Sequence, residues 1–182
     1  MKKRIIIITS LLLLCVIVRA QYSGENRPRL RFNEPFVSNN NRSVILPADR
    51  IPNDFLGCTL GVTSEVDALK NINRLGLRYR ESSGGVSDIL VINGDIECEG
   101  IKFRTVDLWF YNNTFWKIVF TGMLTDSKVL ANTIRQKYSK FPRINEKGST
   151  YIRYRGNNAD LVHNEYNLQY TIRGGSSGRL ED

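Results

Sequence analysis

The sequence predicts an α+β fold: two units, each a helix followed by an antiparallel meander, forming one sheet with the helices on one face. Two observations carry this. Apolar residues recur at helical spacing in two stretches, each opened by a capping residue and closed by a stop signal. Each stretch leads into short alternating runs joined by hairpin-length links, which favour antiparallel over parallel pairing.

The chain starts with Met1-Lys2-Lys3-Arg4. An almost unbroken apolar run follows from Ile5 to Val18, and Val18-Arg19-Ala20 puts a small residue before Gln21. That is the layout of a secretory signal peptide over residues 1–20, and the run is short for a membrane span. An uncleaved anchor is the alternative. No second apolar run follows, so the mature chain is expected to carry no membrane span. Cys15 is preceded by leucines where a lipobox needs a small residue, which argues against a lipoprotein. The expected destination is periplasmic or extracellular, with association with the cell envelope as one form of it.

The full chain carries 26 Lys and Arg against 18 Asp and Glu. Loss of Lys2, Lys3, Arg4 and Arg19 with the signal leaves 22 against 18, a net charge of +4. The basic residues are scattered and no nucleic-acid motif is present, so no nucleic-acid partner is expected. About 160 residues remain, enough for one domain with tails.

Residues 21–54 read as an extended or disordered linker. They hold Pro28, Pro35, Pro47 and Pro52 and the polar run Ser38-Asn39-Asn40-Asn41, without helical period. The domain is expected over 55–173. Its first helix runs from Ser64 to about Leu75: Thr63 or Ser64 caps it, Glu65 and Asp67 suit its positive end, and Gly76 stops it. Val66, Leu69, Ile72 and Leu75, with Ala68, form its apolar stripe.

Leu77–Glu81 is the first strand candidate, and Ser82-Ser83-Gly84-Gly85 a turn. Ile89–Ile92 is an apolar run, Asn93-Gly94 a type I′ hairpin signal, and Asp95–Cys98 the return strand. Ile101–Tyr111 is a long strand whose apolar phase changes from odd to even positions, so a bulge is expected near Arg104-Thr105. Asn112-Asn113 turns the chain into Phe115–Thr121. Thr125 or Asp126 then caps a second helix over Ser127–Tyr138, with Leu130, Ile134 and Tyr138 on one face and Phe141-Pro142 ending it. Strands follow at Thr150–Arg155 and Tyr166–Arg173, separated by a turn at Gly156-Asn157-Asn158. Residues 174–182 read as a flexible tail.

Two cysteines remain after the signal, Cys58 and Cys98. In an exported protein an even pair favours a disulfide, and closing a loop of about 40 residues stabilises by roughly 4 kcal/mol in the chain-entropy model. Two buried free thiols are the alternative. His163, the single histidine, stands near a turn with no nucleophile motif and reads as a surface or turn residue rather than a catalytic base. Asp95, Glu97 and Glu99 alternate with Ile96, Cys98 and Gly100. They share a strand face that could bind a hard cation but reads better as the solvated side of a half-buried strand. The glycine-rich pieces lack the Lys-Ser or Lys-Thr of a phosphate loop. No catalytic set, metal site or cofactor is expected.

Phe55-Leu56-Gly57-Cys58-Thr59-Leu60-Gly61, then a capped helix, then the strand pair Val106–Phe110 and Trp116–Phe120 around Asn112-Asn113, resembles the small exported domains of the beta-lactamase-inhibitor-protein type. It is also similar to the small outer-membrane assembly lipoproteins. Those folds are built from helix-plus-meander units. The resemblance covers about Phe55 to Arg173 and implies a non-enzymatic, protein-binding use. The chain departs from both types: it has no lipobox, and one candidate disulfide where the tandem inhibitors carry one per repeat.

Sheet phase supplies candidate binding residues. With Val106, Leu108, Phe110, Trp116, Ile118, Phe120, Ile152, Tyr154, Leu168, Tyr170 and Ile172 facing the helices, the opposite face shows Asp107, Trp109, Tyr111, Phe115, Lys117, Val119, Tyr151, Arg153 and Arg155. Trp, Tyr and Arg are enriched at binding hot spots because they bury much area at low entropic cost. Trp109, Tyr111, Phe115, Tyr151, Arg153 and Arg155 are therefore the expected contact residues for a protein or peptide. The competing expectation is that the N-terminal arm or a neighbouring subunit covers this face. Beside the binding module stand two other readings, a structural or assembly component of the cell envelope and a hydrolase or metal-dependent enzyme.

Overall fold

A computed structural model describes residues 30–31, 50–145 and 148–173. The expected signal (1–20), most of the linker and the tail (174–182) lie outside the described residues. In chain order the elements are β1 Leu30–Arg31, β2 Asp54–Phe55, β3 Cys58–Thr59, helix α1 Glu65–Arg74, β4 Tyr79–Gly84, β5 Ser87–Cys98, β6 Ile101–Tyr111, β7 Thr114–Thr121, helix α2 Ser127–Lys137, β8 Arg143–Asn145, β9 Ile152–Arg155, β10 Ala159–His163 and β11 Leu168–Ile172. The class is α+β, a mostly antiparallel sheet with two helices.

The nine-stranded sheet runs β1-β5-β6-β7-β11-β10-β9-β8, with β4 paired to β5. β4 and β1 lie end to end along the same edge of β5: Tyr79 to Gly84 pair with Ile92 to Ser87, and Leu30–Arg31 pair with Ile96–Glu97. β2 and β3 form a separate two-stranded ribbon.

Both helices follow their capping chemistry. The Ser64 side chain accepts from the Asp67 amide at 3.2 Å, and Gly76 sits at φ 66° just past α1. Ala68 and Ile72 are buried and Leu69 and Leu75 partly so, whereas Val66 is exposed and leaves the expected stripe. In α2 the Asp126 carboxylate accepts from the Lys128 amide at 2.8 Å, and Leu130, Ile134 and the following Tyr138 are buried as expected. The buried residues of both helices join one core with Leu90, Ile92, Phe103, Val106, Leu108, Phe110, Ile118, Phe120, Leu168 and Tyr170 of the sheet.

Asn93-Gly94 makes no hairpin. β5 runs straight through it, and the turn falls at Glu99-Gly100, with φ 55° and 74°. The later turn lets β5 pair with β6 along nearly its whole length, whereas a turn at Asn93-Gly94 would strip β6 of that partner. Gly94 and Asp95 instead form a bulge opposite Arg104, where the sequence phase of β6 changes. β8 and β10 carry no clear alternation in the sequence. All five residues of β10 are buried. Tyr166, expected at the start of the last strand, is exposed in the turn before β11.

The folded part begins before residue 55. Ile51 is fully buried, its amide donating to Asn158 Oδ1 at 3.0 Å and its carbonyl accepting from Asn158 Nδ2 at 2.8 Å.

Cys58 and Cys98 form no disulfide; both are buried free thiols. Cys58 Sγ lies 3.8 Å from the Leu56 carbonyl and 3.7 Å from Asn71 Nδ2, while Cys98 Sγ lies 3.7 Å from the Tyr170 hydroxyl. The two thiols are thus engaged with different partners. Burial pushes both thiols up, so neither is a reactive thiolate.

Candidate functional site

Cross-strand register lays the sheet face opposite the core in transverse rows, because directly opposed residues of antiparallel strands share a face. One row reads Arg80, Val91, Asp107, Val119, Gln169, Val162 and Arg153. The next reads Ser82, Ile89, Trp109, Lys117, Thr171, Asp160 and Arg155. Trp109 is separated from Arg155 by four strand steps, about 19 Å at roughly 4.8 Å each. The expected contact residues therefore fall into two groups at opposite ends of one face.

The first group is aromatic. Trp109 and Trp116 meet edge to face, with centroids 6.5 Å apart and planes at 81°. The Lys117 ammonium lies 3.9 Å from the Trp109 centroid and 4.5 Å from that of Trp116. Such contacts contribute about 0.5–1 kcal/mol each at exposed sites and more when desolvated. Trp109 can lie this close to the β4–β5 hairpin because Gly84 has no side chain; a Cβ there would stand 2.6 Å from the ring. Both indole nitrogens are buried and have no hydrogen-bond partner among the described residues. Tyr111 is half-buried at the end of β6, opposite Thr114.

Phe115 does not belong to this group. It is fully buried in the core, paired with Phe110 at 5.5 Å between centroids. A register shift after Trp109 makes Trp116 and Lys117 both stand opposite that residue, which turns Trp116 outward and Phe115 inward. Trp116 is the outward aromatic that strict alternation missed, while Lys117 stands on the outer face where alternation put it.

The second group is ionic. Arg153 Nη1 lies 3.5 Å from Asp160 Oδ2, and Arg155 Nε lies 4.0 Å from Asp160 Oδ1. Asp160 is 9% exposed and both arginines are partly buried, so this end is already internally paired. Tyr151 is exposed just before β9. On the same face, Val119 and Val162 between the groups, and Ile89 and Val91 of β5 beyond the aromatic group, are buried although they stand outside the core cluster. Burial raises the Asp107 carboxyl above its ordinary range, Arg80 opposing this.

The carboxylates of β5 do not share a face. Asp95 sits in the bulge, and Glu99 lies in the turn with its side chain 4% exposed. Glu99 Oε1 accepts from the Tyr138 hydroxyl at 2.6 Å and the Tyr170 hydroxyl at 2.8 Å, and Oε2 pairs with Lys137. Burial, reinforced by the Glu99 charge, raises both phenols, so they remain protonated donors. This network ties α2 and β11 to the β5–β6 turn. Among the described residues no group of three His, Cys, Asp or Glu could hold a metal ion.

His163 is not a surface residue. It is 3% exposed and stacked on Tyr154, with centroids 6.1 Å apart and planes at 16°. Its Nε2 has no partner among the described residues, and desolvation lowers its pKa. The neutral form is therefore favoured in the folded state. The unfolded chain binds a proton near pH 6.5 while the folded chain resists until lower pH, so stability falls as pH drops below about 6.5 toward the folded value. Urea unfolding at pH 7 and pH 5 should show this loss, and His163→Phe should remove most of it. An unchanged slope in the variant would contradict the assignment, because no other histidine is present.

No described helix is long and apolar enough to cross a membrane. In comparisons with protein-family models, curated proteins and solved structures, nothing matches this chain.

Proposed function

We propose that this chain is an exported, non-enzymatic binding module that grips a protein or peptide with the outer face of its sheet. The fold behind it is read as two helix-plus-meander units with both helices on the opposite face. The observation that carries the reading is the Trp109, Trp116 and Lys117 cluster. Two large aromatic side chains stand half-buried on a sheet face, crossed by a cation, with unpartnered indole N–H groups. The exposed parts of the rings and the Lys117 ammonium offer a partner hot-spot area. Export rests on the N-terminal layout of residues 1–20.

The 19 Å span separates partner classes. A standard protein interface covers about 800 Å² per side, roughly 28 Å across, and would reach both groups. A peptide laid along one strand would reach one. For a protein partner, Trp109→Ala and Arg153→Ala should each weaken binding by more than about 1 kcal/mol without unfolding the domain. For a peptide partner only Trp109→Ala should do so. Binding unchanged in both variants, measured by titration calorimetry, would refute the outer-face reading.

A structural or assembly role in the cell envelope is the second reading. The burial of Ile89, Val91, Val119 and Val162 outside the core favours it, since a face with that much apolar surface already covered has less left to offer a transient partner. Protein found freely soluble and monomeric on fractionation would count against that role.

A further inference from the structure

Among the described strands every pairing in the large sheet is antiparallel except one. β1 joins β5 in parallel over two positions, Leu30 opposite Ile96 and Arg31 opposite Glu97. It occupies an edge that β4 leaves, because the β4–β5 pairing ends at Tyr79 and Ile92. Parallel pairing is slightly weaker per residue than antiparallel, and each net backbone hydrogen bond contributes only about 0.5–1.5 kcal/mol, so the two described pairings contribute modestly.

Next to this pairing lies a pocket of about 190 Å³ that spans β5 and β6. Ile96 and Glu97, the two positions that pair with β1, line it together with Asp95, with Lys102 and Phe103 of β6, and with Leu124. That volume is below the roughly 300–1,000 Å³ of a small-molecule site and suits a single side chain. In recognition by strand addition, main-chain hydrogen bonds supply affinity and flanking pockets select side chains. Here Ile96, Phe103 and Leu124 are apolar, and Asp95 and Glu97 outnumber the one basic residue, Lys102, so the lining is net acidic. The strand seated on the edge lies in a stretch of matching chemistry, Arg27-Pro28-Arg29-Leu30-Arg31-Phe32, in which basic residues alternate with apolar ones.

We infer that the β5 edge at Ile96–Glu97 is a strand-accepting site for an extended peptide of alternating basic and apolar residues, with Leu30–Arg31 as its built-in occupant. A partner peptide of that chemistry binds by displacing β1. The site lies on the sheet edge and does not depend on the outer-face reading.

The test uses the full chain and a fluorescent peptide with the sequence of residues 26–33, followed by anisotropy. In a Leu30→Pro, Arg31→Glu variant the resident strand loses a backbone donor and gains a charge repelled by Glu97. This variant should bind the peptide at least tenfold more tightly than wild type. Adding Glu97→Lys should reverse that gain at least tenfold. Equal binding by wild type and the first variant, or no binding by either, would overturn the inference. Circular dichroism and thermal melting check that the variant folds as wild type does. If the variant unfolds, wild type at high peptide concentration decides instead: saturable binding lost in Glu97→Lys is expected, and its absence would overturn the inference.

Discussion

Glu99→Ala should lower the unfolding free energy by about 3 kcal/mol, a large fraction of a typical domain's stability. The Tyr138 and Tyr170 hydroxyls both donate to one oxygen of this carboxylate, and both tyrosines are buried. Truncation leaves two buried donors without their acceptor, at about 1–3 kcal/mol each. The third partner adds little: Lys137 is half-exposed, so losing its ion pair costs little. Removing both sides of the network should be cheaper than removing one. Glu99→Ala combined with Tyr138→Phe and Tyr170→Phe should therefore recover much of the loss, because the two buried hydroxyl donors are removed along with their acceptor. Urea midpoints of the single and triple variants make the comparison. A triple variant less stable than the single one would show that the tyrosine hydroxyls matter for another reason.

Gly61→Ala should cost about 3 kcal/mol, from two sources that separate experimentally. Gly61 holds φ 79°, a region that costs an L-residue roughly 1–2 kcal/mol. Its amide donates to the Phe115 carbonyl at 2.7 Å, so the backbone cannot shift without losing that bond. An added Cβ would also fall 1.9 Å from Ile172 Cδ1, and moving that side chain costs about another 1–2 kcal/mol. Gly85 is the control: φ is 63°, but a Cβ there would meet nothing within 4 Å. Gly85→Ala should cost about 1 kcal/mol, the conformational part alone. Ile172→Ala in the Gly61→Ala background should partly offset the clash. Equal losses at Gly61 and Gly85 would contradict the packing part.

Helices were legible because their signals are local. Ser64, Asp126 and Gly76 act within a few residues, and Leu130, Ile134 and Tyr138 repeat along one face of the same element. Hairpin choice was less so, since Asn93-Gly94 is the better local turn and Glu99-Gly100 prevails through long-range pairing with β6. Half of the aromatic site was readable. Trp109 and Tyr111 follow from simple alternation along β6, whereas Phe115 and Trp116 exchange faces at a bulge. One signal for that exchange was present in the sequence. A two-residue turn at Asn112-Asn113 forces Tyr111 opposite Thr114 and hence Phe110 opposite Phe115, so an inward Phe110 requires an inward Phe115. The Glu99 network had no such signal: Tyr138 and Tyr170 lie far along the chain, and only the packed structure brings their hydroxyls to one carboxylate.

The outer-face binding role is tested most directly by capture and titration. Mature protein, wild type beside a Trp109→Ala, Trp116→Ala variant of equal thermal stability, is used to capture partners from envelope and secreted fractions, and any captured partner is purified and titrated against both. The expected result is a partner bound by wild type and bound at least tenfold more weakly by the variant. A captured partner that binds both equally, or no partner for either folded protein, would contradict the binding role of this face.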